Sequence, residues 1–405
     1  MIQSTGKTAS VLRRLSAITI AMAMSLGVVG PSLANSADFV RGLWPLAEAR
    51  GVSRSAFEAA FAGYNYLPKV IELTKTQPEF SQTVQQYLDR RVTAGQAQKG
   101  RAMRAEWNQT LTGSEQRWGV QPEFVLAIWG METNYGGFMG GEHTIHALAT
   151  LTEGGYRKDF FRDELLTALR IISDGHVSPD NMTGSWAGAM GHTQFMPSSF
   201  MRYAVDYNGD GRKDIWNSVQ DALGSTANYL DNFGWRPGET WGYEVKLPSG
   251  FDHAGARQLE RAPLRQWQAM GIQRVSGKPF PRPSDPGRLY MPAGASGPTF
   301  LLLPNFDVIK RYNNSDSYAL AVGHLADRII GGDDFSTQWP AGDYALTSSQ
   351  RAELQTQLGR AGYDVGSPDG VIGPKTRAAV IAYQQRAGLA VDGHISGRLL
   401  DRLKR

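Results

Sequence analysis

The sequence predicts a mainly α protein, with a small β-containing insert and a small three-helix unit at its C-terminal end. Three observations carry that reading. Residues 121–136 read as an apolar helix: Pro122 suits a first helical position, where its missing N–H would be unpaired anyway, and Phe124, Val125, Ile128 and Trp129 fall at helical spacing. No long strand-like alternation occurs before residue 240. Residues 240–305 mix alternation with Gly and Pro, and the last sixty residues or so return to short helices with clear start and stop signals.

The chain has 405 residues, which suggests two or three domains. Hydrophobic residues at 41% and charged residues at 20% fit a folded protein with a sizeable core. The net charge of +4 is spread along the chain and fits attraction to an anionic polymer or surface. No dense Lys/Arg block argues for nucleic acid, which is not expected as a partner. The lack of cysteine excludes disulfides, thiolate metal sites and a cysteine nucleophile, so stability must come from core burial.

Residues 1–34 read as a secretory signal peptide. Lys7, Arg13 and Arg14 precede an apolar run over residues 15–29, and Ser32-Leu33-Ala34 offers small residues for cleavage. An uncleaved anchor helix is the alternative. No cysteine follows the run, so lipoprotein anchoring is closed, and no other stretch approaches about 18 apolar residues. The mature chain is expected to be soluble.

From residue 36 the patterns are helical. Ser53 caps a helix over residues 53–61, and residues 76–111 carry Phe80, Val84, Tyr87 and Leu88 at helical spacing. Gly136-Gly137 are expected to stop the helix that Pro122 starts. Residues 241–247 alternate like a strand, and residues 300–303 form another short apolar run. Residues 277–287 hold so many prolines that neither helix nor central strand is expected. Residues 305–330 return to helix, with Ala319, Val322, Leu325 and Ile329 in register. The Gly- and Pro-containing stretch from 331 reads as a linker, assigned to residues 336–344 between units 36–335 and 345–405. In the last unit Thr347-Ser348-Ser349-Gln350 is a capping box, Pro374 opens a second helix and Ser396 a third. Residues 369–373 and 392–396 echo one another, each a turn feeding a helix.

Candidate chemistry begins with Glu132, which shares the stripe of Val125 and Ile128. A carboxyl held against apolar groups keeps its proton more readily, as a general acid must. A capping role that leans out to solvent stays open at this point. The segment 185–200 is rich in small residues, and Ser185 and Gln194 offer neutral hydrogen bonds to sugar hydroxyls and amides. His192 is read as structural rather than catalytic. Asp206, Asn208 and Asp210 stand at positions 1, 3 and 5 of a calcium-loop pattern, with Gly211 at 6 and Asp214 at 9. Position 12 is Asn217, and Asp221 offers to complete the shell. An Asx-rich turn without metal is the alternative. Tyr312-Asn313 and Tyr318 place aromatic faces beside amides, with an ordinary helix-capping turn as the alternative. Asp159, in a run that otherwise reads as a solvated helix face, is the nearest thing to a second catalytic carboxylate. No P-loop, dinucleotide-binding glycine fingerprint, His-Glu-x-x-His or Gly-x-Ser-x-Gly motif occurs, so the chemistry should rest on carboxylates and neutral groups, with no cofactor required.

Glu132-Thr133-Asn134-Tyr135-Gly136, then 187–191 (Ala-Gly-Ala-Met-Gly) and 194–199 (Gln-Phe-Met-Pro-Ser-Ser), resemble the membrane-bound lytic murein transglycosylase B family. The 206–211 loop and Tyr312-Asn313 continue the likeness in the same order, over roughly residues 38–335. Residues 362–376, with Tyr383-Gln384 and 388–393, resemble a three-helix peptidoglycan-binding domain. The resemblance implies a lysozyme-like catalytic domain that cleaves the β-1,4 bond between N-acetylmuramic acid and N-acetylglucosamine. It implies Glu132 as sole acid and base, attack by the muramoyl C6 hydroxyl with help from the substrate's N-acetyl group, and a 1,6-anhydro product. It places Ser185 and Gln194 near the acid and Tyr229, Tyr312, Asn313 and Tyr318 along the sugar subsites. It implies a structural calcium ion held by Asp206, Asn208, Asp210, the Arg212 carbonyl and Asp221. Glycan strands are the expected partner, with cell-wall enzyme complexes beside them, and the periplasm is the expected compartment. A hydrolytic muramidase on the same scaffold, with Asp159 or another acid activating water, and a non-catalytic wall-binding scaffold, are the competing readings.

Overall fold

The computed structural model describes residues 33–75 and 82–405. The signal-peptide assignment falls on residues 1–34, almost all outside the described residues, and so does Phe80. No helix among the described residues is long and apolar enough to cross a membrane.

The described residues within 33–241, with those of 304–329, form a helical body. Its helices start where the sequence supplies a cap. Ser53 Oγ accepts the Ala56 N–H at 3.2 Å and opens Arg54–Ala60. Thr83 forms a full capping box with Gln86 and opens Val84–Arg91, and Thr93 caps Ala94–Glu106. The expected single pattern over 76–111 is therefore broken by caps into shorter helices.

The helix Pro122–Thr133 lies at the centre of this body. Ten of its twelve residues are buried, and the other two are Glu123 and Glu132. It is thus apolar all round, not striped, which is how a helix enclosed by others reads. The helices Asp316–Ile329, Ala94–Glu106 and Val219–Asn232 pack around it. Its end differs from expectation. Asn134, not Gly136, is the C-cap, and Asn134, Tyr135 and Gly136 all take left-handed backbone at φ 52°, 55° and 75°. Two non-glycine residues in that region cost backbone energy that the surroundings must offset. At Gly136 glycine is required twice over, because an added Cβ would fall 2.4 Å from His192 Cε1.

Two short strands, β1 (Glu142–His143) and β2 (Thr183–Gly184), pair antiparallel beside the central helix's exit loop. The insert is an antiparallel sheet formed by β3 (Gly242–Lys246), β4 (Ala262–Pro263), β5 (Gln273–Arg274), β6 (Pro286–Tyr290) and β7 (Thr299–Leu302), in the order β4-β6-β7-β3-β5. Trp267, Leu264, Phe280 and Leu301 give it a core of its own. Pro286 and Gly287 lie inside a strand after all. They pair with the short edge strand β4, where Pro286 faces Pro263, so no ladder donor is missed. The helical run from 304 is two helices, Pro304–Tyr312 and Asp316–Ile329, broken at Asn313.

The linker is docked. Phe335 stacks on His324 with centroids 4.0 Å apart, and the Ser336 and Thr337 N–H groups donate to the Glu244 carboxylate. Beyond it, Ser348–Arg360, Pro374–Arg386 and Gly397–Leu403 enclose a small core of Leu354, Leu358, Val380 and Leu400. The sequence echo is a structural repeat. Gln355 accepts the Gly370 N–H and donates to Asp369, while Gln384 accepts the Gly393 N–H and donates to Asp392. Both glutamines are buried, and each spends both ends of its amide on its turn.

Candidate active site

Glu132 is half-buried, near the end of the central helix. It neither faces fully inward nor leans freely into solvent. The Tyr318 hydroxyl donates to its Oε1 at 2.6 Å. Tyr318 sits in the first turn of Asp316–Ile329, where Ser315 caps the helix through the Tyr318 N–H. Its ring is buried, 3% exposed. Burial, and then the negative charge of Glu132, hold the Tyr318 phenol well above its ordinary value. It therefore remains a donor across the neutral range. The sequence reading placed Tyr318 along a sugar subsite; the structure joins it to the acid itself.

Tyr312 and Tyr229 stand behind this pair. Tyr312 donates to the Thr193 carbonyl at 2.7 Å, and Tyr229 donates to the Arg311 carbonyl at 2.5 Å. Their rings lie 4.9 Å apart, and Phe195 packs on both. Burial followed by the Glu132 charge raises the Tyr312 phenol far above its usual value, so Glu132 and Tyr312 share one electrostatic environment. Tyr229 is pushed up to about 12, mainly by burial. The two hydroxyls are committed to backbone, so these residues shape a wall. Asn313 is the C-cap of Pro304–Tyr312, with extended backbone, at the break before the Tyr318 helix.

Residues 184–195 fold back on themselves through bridges between Gly184 and Met190 and between Met190 and Phe195. Ser185 Oγ accepts the N–H groups of Ala187 and Ala189, closing the turn between them. Gln194 takes left-handed backbone at φ 52°, and its side-chain N–H₂ reaches the carbonyls of Met139 at 3.0 Å and Gly191 at 2.9 Å. Gln194 thus ties this segment to the loop that leaves the Glu132 helix. His192 is buried, and its Nδ1 accepts from Trp129 Nε1 at 3.1 Å. Burial pulls its pKa down against the opposing charge of Asp214, so it is a neutral strut whose proton lies on Nε2. Asp159, offered as a second carboxylate, is turned to solvent at 84% side-chain exposure and pairs with Arg162.

The calcium-loop residues share a turn. Asp206 accepts the N–H groups of Gly209, Asp210 and Gly211; Asn208 accepts that of Asp210; Asp210 accepts that of Arg212. Asp221 lies wholly buried beneath, accepting from Tyr207, Asn208 and Asp214. Residue types and order fit calcium, and Gly211 at φ 89° supplies the sharp turn such loops need. The carboxylates are nevertheless occupied by the loop's own N–H groups. No group of three or more His, Asp or Glu side chains converges as a cation cradle among the described residues.

Several residues of this region escaped the sequence reading. Thr133 accepts the Gly136 N–H and donates to the His192 carbonyl, and Lys99 donates to the Asn134 carbonyl at 2.7 Å. Phe138 stands 75% exposed in the loop between them and Gln194. The glycine pairs 136–137 and 140–141, which bracket Phe138, were the signal available.

Residues 35–327 match the family model described as the transglycosylase SLT domain, and residues 347–403 match that of a putative peptidoglycan binding domain. The chain is 36% identical over 250 residues to membrane-bound lytic murein transglycosylase B of Escherichia coli (strain K12). That match covers 60% of this chain and 66% of the relative, just under two thirds of its length. Among solved structures, SltB3 from Pseudomonas aeruginosa in complex with NAG-anhNAM-pentapeptide is similar at TM-score 0.86 and 45% identity, over 93% of this chain and all of that one. The Escherichia coli lytic transglycosylase SLT35 in complex with calcium is similar at TM-score 0.60 and 31% identity, over 73% of this chain and 92% of that one.

Proposed function

The chain belongs to the transglycosylase SLT domain family, and from that membership we propose that it cleaves the bond between N-acetylmuramic acid and N-acetylglucosamine in peptidoglycan, leaving 1,6-anhydro ends. The observation that carries this reading is the half-buried Glu132, gripped by Tyr318 at the end of an otherwise enclosed helix. A donor on Oε1 directs a carried proton to Oε2. Glu132 gives that proton to the leaving O4 of N-acetylglucosamine as the C1–O bond breaks. Its carboxylate then takes the proton of the muramoyl C6 hydroxyl, whose oxygen bonds to C1. Nucleophile and electrophile sit on one sugar, so proximity is built into the substrate and no positioned water is needed.

The hydrolytic alternative needs a second acid to activate water. Asp159, the one candidate named for that role, faces solvent and pairs with Arg162. The mass of the muropeptides released from sacculi decides between the two. Anhydro ends, lighter by one water than hydrolysed ends, are expected; hydrated ends would replace this reading with a muramidase. Sacculus binding with no soluble product over time would instead support the scaffold reading.

Residues 345–405 serve in this reading to hold the enzyme on the polymer and raise its local concentration. The periplasm is the compartment it requires, and glycan strands are the polymer. Ser185 and Gln194 line the acid's cleft, with the Gln194 carbonyl oxygen left to accept from a sugar. Tyr229, Tyr312 and Asn313 form its wall.

For the 206–211 loop we propose, on its residue types and order, a structural calcium ion outside the reaction. Asp206, Asn208, Asp210 and the Arg212 carbonyl would hold it, with Asp221 fixing the loop from beneath. SLT35 is the relative solved with calcium. Binding to the folded loop alone raises stability by about 2.7 kcal/mol at a hundredfold excess over Kd. The melting temperature is therefore expected to rise from EGTA to millimolar CaCl2. An unchanged melting temperature would mark the loop as an Asx-rich turn that holds itself.

A further inference from the structure

The C-terminal unit is seated on the β insert. Asp392 Oδ2 accepts the Ala295 N–H at 2.7 Å, and a Cβ at Gly294 would fall 2.6 Å from that carboxylate. The two units enclose a recess of about 560 Å³. Its charged lining is divided in an informative way. Each carboxylate accepts a hydrogen bond from within the fold: Asp343 from His394 at 3.0 Å, Asp392 from Gln384 and the Ala295 N–H, and the exposed Asp401 from the Tyr344 hydroxyl through one oxygen. The arginines are not committed in this way. Arg398, Arg402 and Arg405 recur at spacings of four and three along and just past the helix Gly397–Leu403, all exposed. None of them has an ion pair or side-chain hydrogen bond among the described residues. The apolar part of the lining is aliphatic, with Leu389 and Leu399 and no Phe, Tyr or Trp.

We propose that this inter-unit recess binds the stem peptides of peptidoglycan through their carboxylates, with Arg398, Arg402 and Arg405 as the anion-binding groups. The assignment deepens the wall-binding role given above to residues 345–405 and rests on it. Glycan strands themselves carry sugars, which favour aromatic faces and amides; the recess offers no Phe, Tyr or Trp face, its one ring, the His394 imidazole, is held by Asp343, and Gln384 is spent on its turn. Stem peptides carry free carboxylates and short aliphatic side chains, and guanidinium groups pair with carboxylates in a matched, two-pronged geometry. The docked linker keeps the recess formed, since Phe335 and the Glu244 bonds fix the chain that leads into the unit. A stem held here keeps its glycan strand beside the catalytic body by a contact separate from Glu132.

The test uses the full chain with Arg398, Arg402 and Arg405 all replaced by Gln. Binding is measured to intact sacculi, to chitin oligosaccharides, which carry β-1,4-linked N-acetylglucosamine without any carboxylate, and to a soluble disaccharide–peptide. The triple variant should bind the stem-bearing ligands about tenfold more weakly, the combined worth of three surface ion pairs. Its binding to the carboxylate-free chitin oligosaccharides should match wild type. Equal loss on both ligands, or no loss on either, would overturn the proposal. Stronger competition by inorganic phosphate than by the disaccharide–peptide would also overturn it, by making the groove a phosphate site. Turnover of short glycans without stems is read in parallel. An inactive wild type with intact arginine-dependent binding would sink the catalytic reading and leave this one standing.

Discussion

Glu132→Gln is expected to leave a folded chain whose turnover of murein falls by about 10³-fold, the usual worth of a positioned acid and base. The substitution keeps the side chain's shape. Its carbonyl oxygen can still accept from Tyr318, so the bond between the helices Pro122–Thr133 and Asp316–Ile329 is retained. It also removes the negative charge that now bears on Tyr312 and Tyr318. The melting temperature should therefore match or exceed that of the wild type, while kcat collapses. A variant that stays near wild-type turnover would show that Glu132 is not the acid. A variant that unfolds would show that its charge is structural. The two outcomes are separated by measuring circular dichroism melts beside product release.

The physical basis of this prediction was only partly visible in the sequence. Pro122 marked the helix start because its effect is local: a missing N–H and a fixed φ. The helix end was misplaced because Asn134 and Tyr135 adopt left-handed backbone that neither residue type announces. Tertiary contacts impose it, among them Lys99 on the Asn134 carbonyl and Thr133 on His192. Glu132 stood out as an acid in an apolar run, but periodicity put it on a stripe where the structure shows a helix enclosed on all sides. Its partner Tyr318 is 186 residues away, and nothing local marks the two as a pair. The aromatic-and-amide cluster 311–318 and the family resemblance both reached it, but with a sugar-binding role. The C-terminal caps were legible one by one. The buried glutamines behind them were not, because a Gln that satisfies a turn nine to fifteen residues away has no short-range signature.

Tyr318→Phe separates orientation of the acid from binding of the sugar. The ring is buried and its packing survives the change, so only the hydroxyl is lost. A hydrogen bond to a charged group is worth about 1.5–3 kcal/mol, which corresponds to roughly 10–100-fold in rate if it acts in the transition state. With the phenol held well above its ordinary value, Tyr318 does not ionise within the working range, so its donor role should not itself shape the pH profile. The expected result is a fall in kcat of that size with KM little changed. Without the donor on Oε1 the acid's proton is shared between two orientations, and only one of them points at the leaving oxygen. A rise in KM at constant kcat would instead assign Tyr318 to the sugar subsite, because uniform binding would then have been lost rather than catalysis. Glu132→Gln combined with Tyr318→Phe completes the argument. If the tyrosine works through the acid, the double variant should be no slower than Glu132→Gln alone, since nothing remains for the hydroxyl to orient. A further fall would mean that Tyr318 contacts the substrate by itself.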